Sequence, residues 1–250
     1  MIWVLAGTWE GRKLIAMLAE RGYEVVATCT SSRGAELARA SGATHVIAAA
    51  LRAEEMRELL SGMGVRAVID CTHPFAAQAS LNAIAACRAE GTPYLRLERA
   101  PLRSSPVQVQ VRSFAEAGRV ASRLGRRVMY TAGIKNLGEF LRHCSSEVVV
   151  RVLPSSAAKA LELGVDERML LCLHPPLSPE LEKALLRHCS AEVLVMKDSG
   201  AAGGAETKLR ACEELGIRAV VVQRPAVHYP ESCRSLQEAV RWAEQKLKGI

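Results

Sequence analysis

The sequence predicts an α/β protein whose strands run parallel, organised as two domains. Short apolar runs alternate with helix-patterned segments from one end of the chain to the other. The helical stretches have the length of crossovers between parallel strands, which need a dozen or so residues. At 250 residues the chain also has room for two domains of about 100 to 150 residues, each with its own core.

In the first half, Met1 to Ala6 (MIWVLA) reads as a strand, Arg12 to Arg21 as a helix, Glu24 to Cys29 as a strand and Ala35 to Ala40 as a short helix. His45 to Ala48 is a weaker strand, Glu54 to Ser61 a helix, Ala67 to Asp70 a strand, Ala76 to Arg88 a helix and Pro93 to Leu97 a strand. The stretch RAPLRSSP, Arg99 to Pro106, has two prolines, two serines and no periodicity, which marks a linker. The expected domains are therefore residues 1–102 and 103–250. Beyond the linker, Val107 to Val111 (VQVQV) alternates with the period of a strand. Helices follow at Phe114 to Leu124, Leu137 to His143, Pro179 to His188, Thr207 to Leu215 and Leu236 to Leu247. They alternate with strands at Val128 to Thr131, Val148 to Leu153, Met169 to Leu173, Val193 to Lys197 and Ala219 to Gln223.

Composition narrows the function class. Hydrophobic residues make up 49% and charged residues 24%, and the mean hydropathy of +0.08 is ordinary for a globular chain. No apolar run reaches the ~18 residues of a membrane span, and MIWVLAGTWEG has no basic stretch followed by an apolar one, so the expectation is a cytoplasmic protein without membrane contact. Eight cysteines without a C-x-x-C pair read as reduced thiols. The net charge of +7 invites a nucleic-acid reading, but it is dispersed, aromatic residues are only 4%, and a polyanionic small molecule serves equally well; with no helix-turn-helix, zinc-finger or aromatic RNA-binding signature, no nucleic-acid partner is expected. LRHCSSEVVV at Leu141 to Val150 is echoed by LRHCSAEVLV at Leu186 to Val195. Paired His and Cys suit zinc, but a histidine ending a helix and a cysteine packed as a small apolar group account for both copies, and no metal is expected.

The first strand runs into Gly7-Thr8-Trp9-Glu10-Gly11-Arg12, a glycine turn whose following helix offers free N–H groups to a phosphate. Its spacing is not G-x-G-x-x-G, and a bare βα turn needs a glycine too. The second strand ends in Thr30-Ser31-Ser32-Arg33, with no carboxylate for ribose hydroxyls. Hydroxyls and an arginine suit a 2'-phosphate, hence NADPH with NADH as the alternative; a polar loop ending in a helix cap is the plainer reading. The fourth strand gives Ile69-Asp70-Cys71-Thr72-His73-Pro74-Phe75-Ala76. Asp70 lies at a carboxyl strand end, Thr72 is expected to cap a helix that Pro74 starts, and His73 is a tunable acid at the rim. In Tyr94-Leu95-Arg96-Leu97-Glu98-Arg99, Arg96 and Arg99 can grip carboxylates, with Glu98 orienting one; a surface ion-pair ladder is the alternative.

In the second half, Lys197-Asp198-Ser199-Gly200 leads through Gly203 and Gly204 to Thr207-Lys208: a strand, a glycine-rich loop and a helix with a basic first turn. That is an anion cradle, though not in the order of a Walker ATPase. Thr131-Ala132-Gly133-Ile134-Lys135 and Arg224-Pro225 follow other strands with similar chemistry.

Taken in order from Gly7 to Pro225, GTWEGR, DCTHPFA, YLRLER, TAGIKN, KDSGAAGG with its following TK, and the late RP resemble the precorrin-6A and cobalt-precorrin-6A reductases of cobalamin biosynthesis. The resemblance implies two Rossmann-like parallel-sheet domains with the active-site cleft between them. It implies a nicotinamide cofactor and a tetrapyrrole substrate reduced at one double bond. Carried over, Gly7, Thr8 and Glu10 lie at the cofactor, and Asp70, Thr72, His73, Pro74 and Phe75 at the cleft. Arg96, Arg99, Lys197, Ser199, Gly200, Gly203, Gly204 and Lys208 line the rest. His73 or a nearby water would supply the proton with Asp70 orienting it, Thr72 would touch the cofactor, and Thr131 and Arg224 would face substrate. Trp9 departs from the small residue usual in this turn, Cys71 from alanine and Asp198 from asparagine. Substrate hand-off between cobalamin-pathway enzymes is an expected partnership. The contrasting reading is a non-catalytic NADP(H)-binding sensor.

Overall fold

The computed structural model describes residues 1–200 and 204–248, so Gly203 lies outside the described residues. The chain forms two compact units, Met1–Arg99 with the segment from Pro225 onward, and Ala100–Arg224. The expected boundary at 102/103 is close for the first crossing. It misses the second: at Pro225 the chain returns to the first unit and completes it.

The first unit contains β1 (Ile2–Leu5), α1 (Trp9–Ala19), β2 (Val25–Cys29), α2 (Ser32–Ala40), β3 (His45–Ala48), α3 (Ala53–Gly62), β4 (Ala67–Asp70), α4 (Ala77–Glu90) and β5 (Tyr94–Leu97). The second contains β6 (Gln108–Val111), α5 (Phe114–Leu124), β7 (Arg127–Tyr130), α6 (Leu137–His143), β8 (Glu147–Val152), α7 (Ala157–Glu162), β9 (Leu170–Cys172), α8 (Pro179–His188), β10 (Val193–Lys197), α9 (Ala205–Leu215) and β11 (Arg218–Val222). The returning segment adds β12 (Ser232–Cys233) and α10 (Leu236–Lys248) to the first unit.

Both sheets have six strands, and every pairing is parallel. The first runs β12-β5-β4-β1-β2-β3, the 3-2-1-4-5-6 order of dinucleotide-binding sheets with β12 as its sixth strand. Its direction of growth reverses between β1 and β4. The second runs β6-β11-β10-β7-β8-β9 and reverses between β7 and β10. In open α/β sheets ligands bind outside the carboxyl ends at such reversals.

Burial on both faces explains why the strands read as near-continuous apolar runs. In the first unit Val4, Ala27, Ile69 and Leu95 pack under α1, α2 and α10, while Trp3, Leu5, Val26 and Val68 pack under α3 and α4. In the second, Met129, Val149, Leu194 and Met196 face Leu186 of α8 and Leu209 of α9. The two LRHC segments end α6 and α8, each with its cysteine at the C-cap, before β8 and β10. Among the described residues no three His, Cys, Asp or Glu side chains gather as metal ligands, and no helix is long and apolar enough to cross a membrane.

Candidate active site

At the first unit's reversal point, Gly7 adopts φ +104°, and a Cβ there would meet nothing within 4 Å. The turn thus needs glycine for its backbone and leaves open space above it. Gly11 is needed for the opposite reason: its Cβ would stand 3.1 Å from Ala6 Cα and 3.3 Å from Cys71 Cβ, so α1 seats closely on the turn. Thr8 caps α1, accepting from the Gly11 N–H at 3.1 Å and donating to the Cys71 carbonyl at 2.7 Å. One side chain therefore ties the loops after β1 and β4 together. Trp9 is 51% exposed at the helix start, with Lys13 Nζ 4.9 Å from its ring centroid.

After β2, Thr30, Ser31, Ser32 and Arg33 are exposed. Ser31 Oγ caps α2 through the Gly34 N–H, and Arg33 pairs with Glu36 on the surface at 3.0 Å.

Asp70 is fully buried, and four donors close its carboxylate. The Thr72 N–H (2.8 Å) and Arg96 Nη1 (2.7 Å) reach Oδ1, and the hydroxyls of Ser80 (2.5 Å) and Tyr94 (2.7 Å) reach Oδ2. Register explains the pair, since Asp70 and Arg96 are directly opposed on β4 and β5 and share one face. Arg96 also donates to Thr72 Oγ1 and to the Thr72 carbonyl, both at 2.9 Å, and stacks 5.2 Å from the Tyr229 ring centroid. Burial works against the guanidinium's charge, but Asp70 overrides it and Arg96 is held above its usual range. Burial and the adjacent Asp70 push the Tyr94 hydroxyl far up.

Three expectations change here. Thr72 does not cap α4: its hydroxyl accepts from Arg96, and the helix starts at Ala77 behind a turn in which the Ala76 N–H donates to the His73 carbonyl. Asp70 does not orient His73, because its partners are Thr72, Ser80, Tyr94 and Arg96. Arg96 and Arg99 do grip carboxylates, but the chain's own: Arg99 meets Glu10 through Nε and Nη2, each at 2.6 Å. Glu98 has no part in either pair. His73 is half-buried, with Nδ1 accepting from the Phe75 N–H at 3.2 Å and the two rings 5.9 Å apart. The neutral ring therefore carries its proton on Nε2. Sequence reasoning missed Ser80 and Tyr94, whose spacing from Asp70 carries no motif.

In the second unit the loops after β7 and β10 flank the reversal point. The Thr131 hydroxyl and N–H both donate to the Val195 carbonyl, at 3.0 and 2.8 Å. Lys197 Nζ lies 5.4 Å from the Phe114 ring centroid, and burial, with Lys135 nearby, lowers it to about 8. Ser199 and Gly200 are buried, and Gly200 and the α9 N-cap Gly204 both take φ +72°. Arg224 is drawn inward, donating to the Asp198 carbonyl (3.1 Å), Asp198 Oδ1 (3.1 Å) and the Ala100 carbonyl (2.8 Å). Asp198 Oδ1 also accepts from the Leu102 N–H at 3.1 Å, so the first and last segments of the second unit meet at one carboxylate. Lys208 is buried on α9 and lines a cavity with Thr131, Gly133 and Arg151.

Comparison with known proteins agrees with this architecture. The family model described as Precorrin-6x reductase CbiJ/CobK matches residues 1–244. A cobalt-precorrin-6A reductase of Methanothermobacter thermautotrophicus is 43% identical over 232 residues, covering 90% of this chain and 76% of the relative. One from Priestia megaterium is 33% identical over 248 residues, covering 96% of each. A solved CobK precorrin-6A reductase matches with a TM-score of 0.83 at 26% identity, covering 98% of this chain and 96% of the other. With the fold, the order of its motifs and the match along residues 1–244 in agreement, the chain belongs to the precorrin-6x reductase family.

Proposed function

We propose that this chain is an NAD(P)H-dependent precorrin-6A or cobalt-precorrin-6A reductase of cobalamin biosynthesis, acting in the cytoplasm and handing its product to the next enzyme of the pathway. The observation that carries the reading is the Gly7 turn, with its positive φ, the open space above it and the Thr8-capped helix at the reversal point, in a chain of this family. These features fit a pyrophosphate, which needs close backbone approach and helix N–H groups. The exposed Thr30, Ser31, Ser32 and Arg33, with no carboxylate among them, fit a 2'-phosphate and favour NADPH over NADH. The surface pair of Arg33 with Glu36 is cheaply exchanged for that contact.

A bound nicotinamide supplies the hydride that reduces one carbon of the double bond, and a proton completes the neighbouring carbon. The protein's share is placement. Glu10 and Thr72 shape the cofactor surface from behind, through Arg99 and Arg96. Asp70 acts as the corner's anchor, and His73 is the proposed donor as its imidazolium, formed when Nδ1 exchanges the Phe75 N–H for a proton, or, as the neutral ring, the group whose Nε2–H holds the donating water. Phe75, Thr131, Lys197, Ser199, Gly200, Gly204 and Lys208 are the proposed substrate-facing groups. Their cations match a macrocycle rimmed with carboxylates.

The test is anaerobic consumption of NADPH and of NADH with metal-free and with cobalt-containing precorrin-6A. The expected result is oxidation of the nucleotide with a product two hydrogens heavier. Nucleotide binding without turnover of either pigment would identify a sensor instead. His73→Ala should lower kcat at least tenfold in folded protein, and full activity would remove His73 from the mechanism.

A further inference from the structure

The cavity in the second unit measures about 120 Å³ and is open to solvent at one side. Its floor is charged. Arg151 of β8 and Glu182 of α8 form a buried bidentate pair at 2.7 and 3.0 Å, which occupies both carboxylate oxygens. Lys208 enters the same space from α9, only 9% exposed, with no hydrogen-bond or ion-pair partner among the described residues. Two cations against one carboxylate leave the group one positive charge in excess. A buried charge without a partner is costly to hold, and burial drives Lys208 down to about 8. The ammonium is not sealed away but opens on the cavity, so an anion that enters there offsets the excess charge.

The walls say which anion. Leu153, Leu173 and Leu177 line the cavity beside Thr131, a surface suited to methylene groups. The volume lies below the ~300 Å³ at which whole small-molecule sites begin, so it suits an arm of a ligand. We propose that this cavity takes one alkyl carboxylate side arm of the macrocycle, with the arm's carboxylate paired to Lys208 and its stem against the leucines. The identity of the arm's owner rests on the reductase reading above. Arg151 and Glu182 are positioning residues, holding the floor rigid.

The test uses the full chain with isotope-labelled leucine methyl groups, titrated with sodium propionate and, separately, with inorganic phosphate. Propionate should shift the methyls of Leu153, Leu173 and Leu177 saturably at millimolar concentrations in the wild type and not in Lys208→Met, with phosphate at least tenfold weaker. Absence of shifts with propionate, or phosphate binding as well as propionate, would overturn the carboxylate-arm site. In turnover, Lys208→Met should raise KM for cobalt-precorrin-6A tenfold or more, with the loss falling on KM far more than on kcat; an unchanged KM would detach the pocket from this substrate. Should the wild type leave every precorrin unreduced while propionate still shifts the leucines, the reductase reading fails and the pocket stands. A thermal melt of Lys208→Met confirms its folding, and Lys208→Gln provides a second neutral variant.

Discussion

Each unit buries a charged group near the carboxyl edge of its sheet, and the two are finished differently. In the first, Asp70 and Arg96 match charge for charge, and four donors saturate the carboxylate; within this cluster Arg96 Nε is buried without a partner among the described residues. In the second, Arg151 and Glu182 match, and Lys208 is left over. A closed network holds a corner in shape. A network with one charge to spare leaves a cation for an entering anion, which is the site proposed above. Both clusters set a strand arginine against a buried carboxylate, so the extra cation, Lys208 of α9, is what distinguishes the second from the first.

The sharpest way to break this comparison is Asp70→Asn, which leaves Arg96 charged and buried without its counterion. It should lower stability by about 3 to 5 kcal/mol in urea unfolding. Adding Arg96→Met should recover much of that loss, since the stranded charge is then gone. Lys208→Met should act in the other direction and stabilise the ligand-free protein. A fall from 10.5 to about 8 corresponds to at most about 3 kcal/mol at neutral pH. The unfolded chain keeps this lysine protonated up to about 10.5 while the folded chain releases the proton near 8, so stability rises as pH climbs through that window. The gap between variant and wild type should therefore be full below about 8 and vanish above about 10.5, read from melts across the range. Thr8→Ala removes the α1 cap and the tie to Cys71, with an expected cost of about 1 to 2 kcal/mol. Arg33→Ala should move stability by no more than about 0.5 kcal/mol, yet raise KM for NADPH and leave that for NADH unaltered.

The alternation of strands and crossovers was legible because both faces of each sheet are covered and the strands are almost wholly apolar. β12 was not. Ser232 and Cys233 have no strand pattern and are ordered by pairing with Arg96 and Leu97, far away in sequence. The return of the chain at Pro225 is invisible for the same reason. α7 was missed as six residues behind Pro154-Ser155-Ser156, a stretch that reads as a loop. At the site, local chemistry was legible: the Gly7 turn, the Thr8 position and the charged strand ends. Partners were not. That Arg96 meets Asp70 depends on the β4–β5 register, and that Arg151 meets Glu182 depends on α8 packing over β8. The late start of α4 follows from the His73 turn, where ring and carbonyl take the N–H groups of Phe75 and Ala76.

The central claim is hydride transfer to a macrocycle, and isotope transfer tests it most directly. With NADPH deuterated at the transferring position of the nicotinamide, and cobalt-precorrin-6A or precorrin-6A as acceptor, the product should carry one deuterium per molecule, located on one of the two carbons of the reduced bond. A pigment recovered without deuterium after saturation with either stereoisomer of the labelled nucleotide would contradict the account.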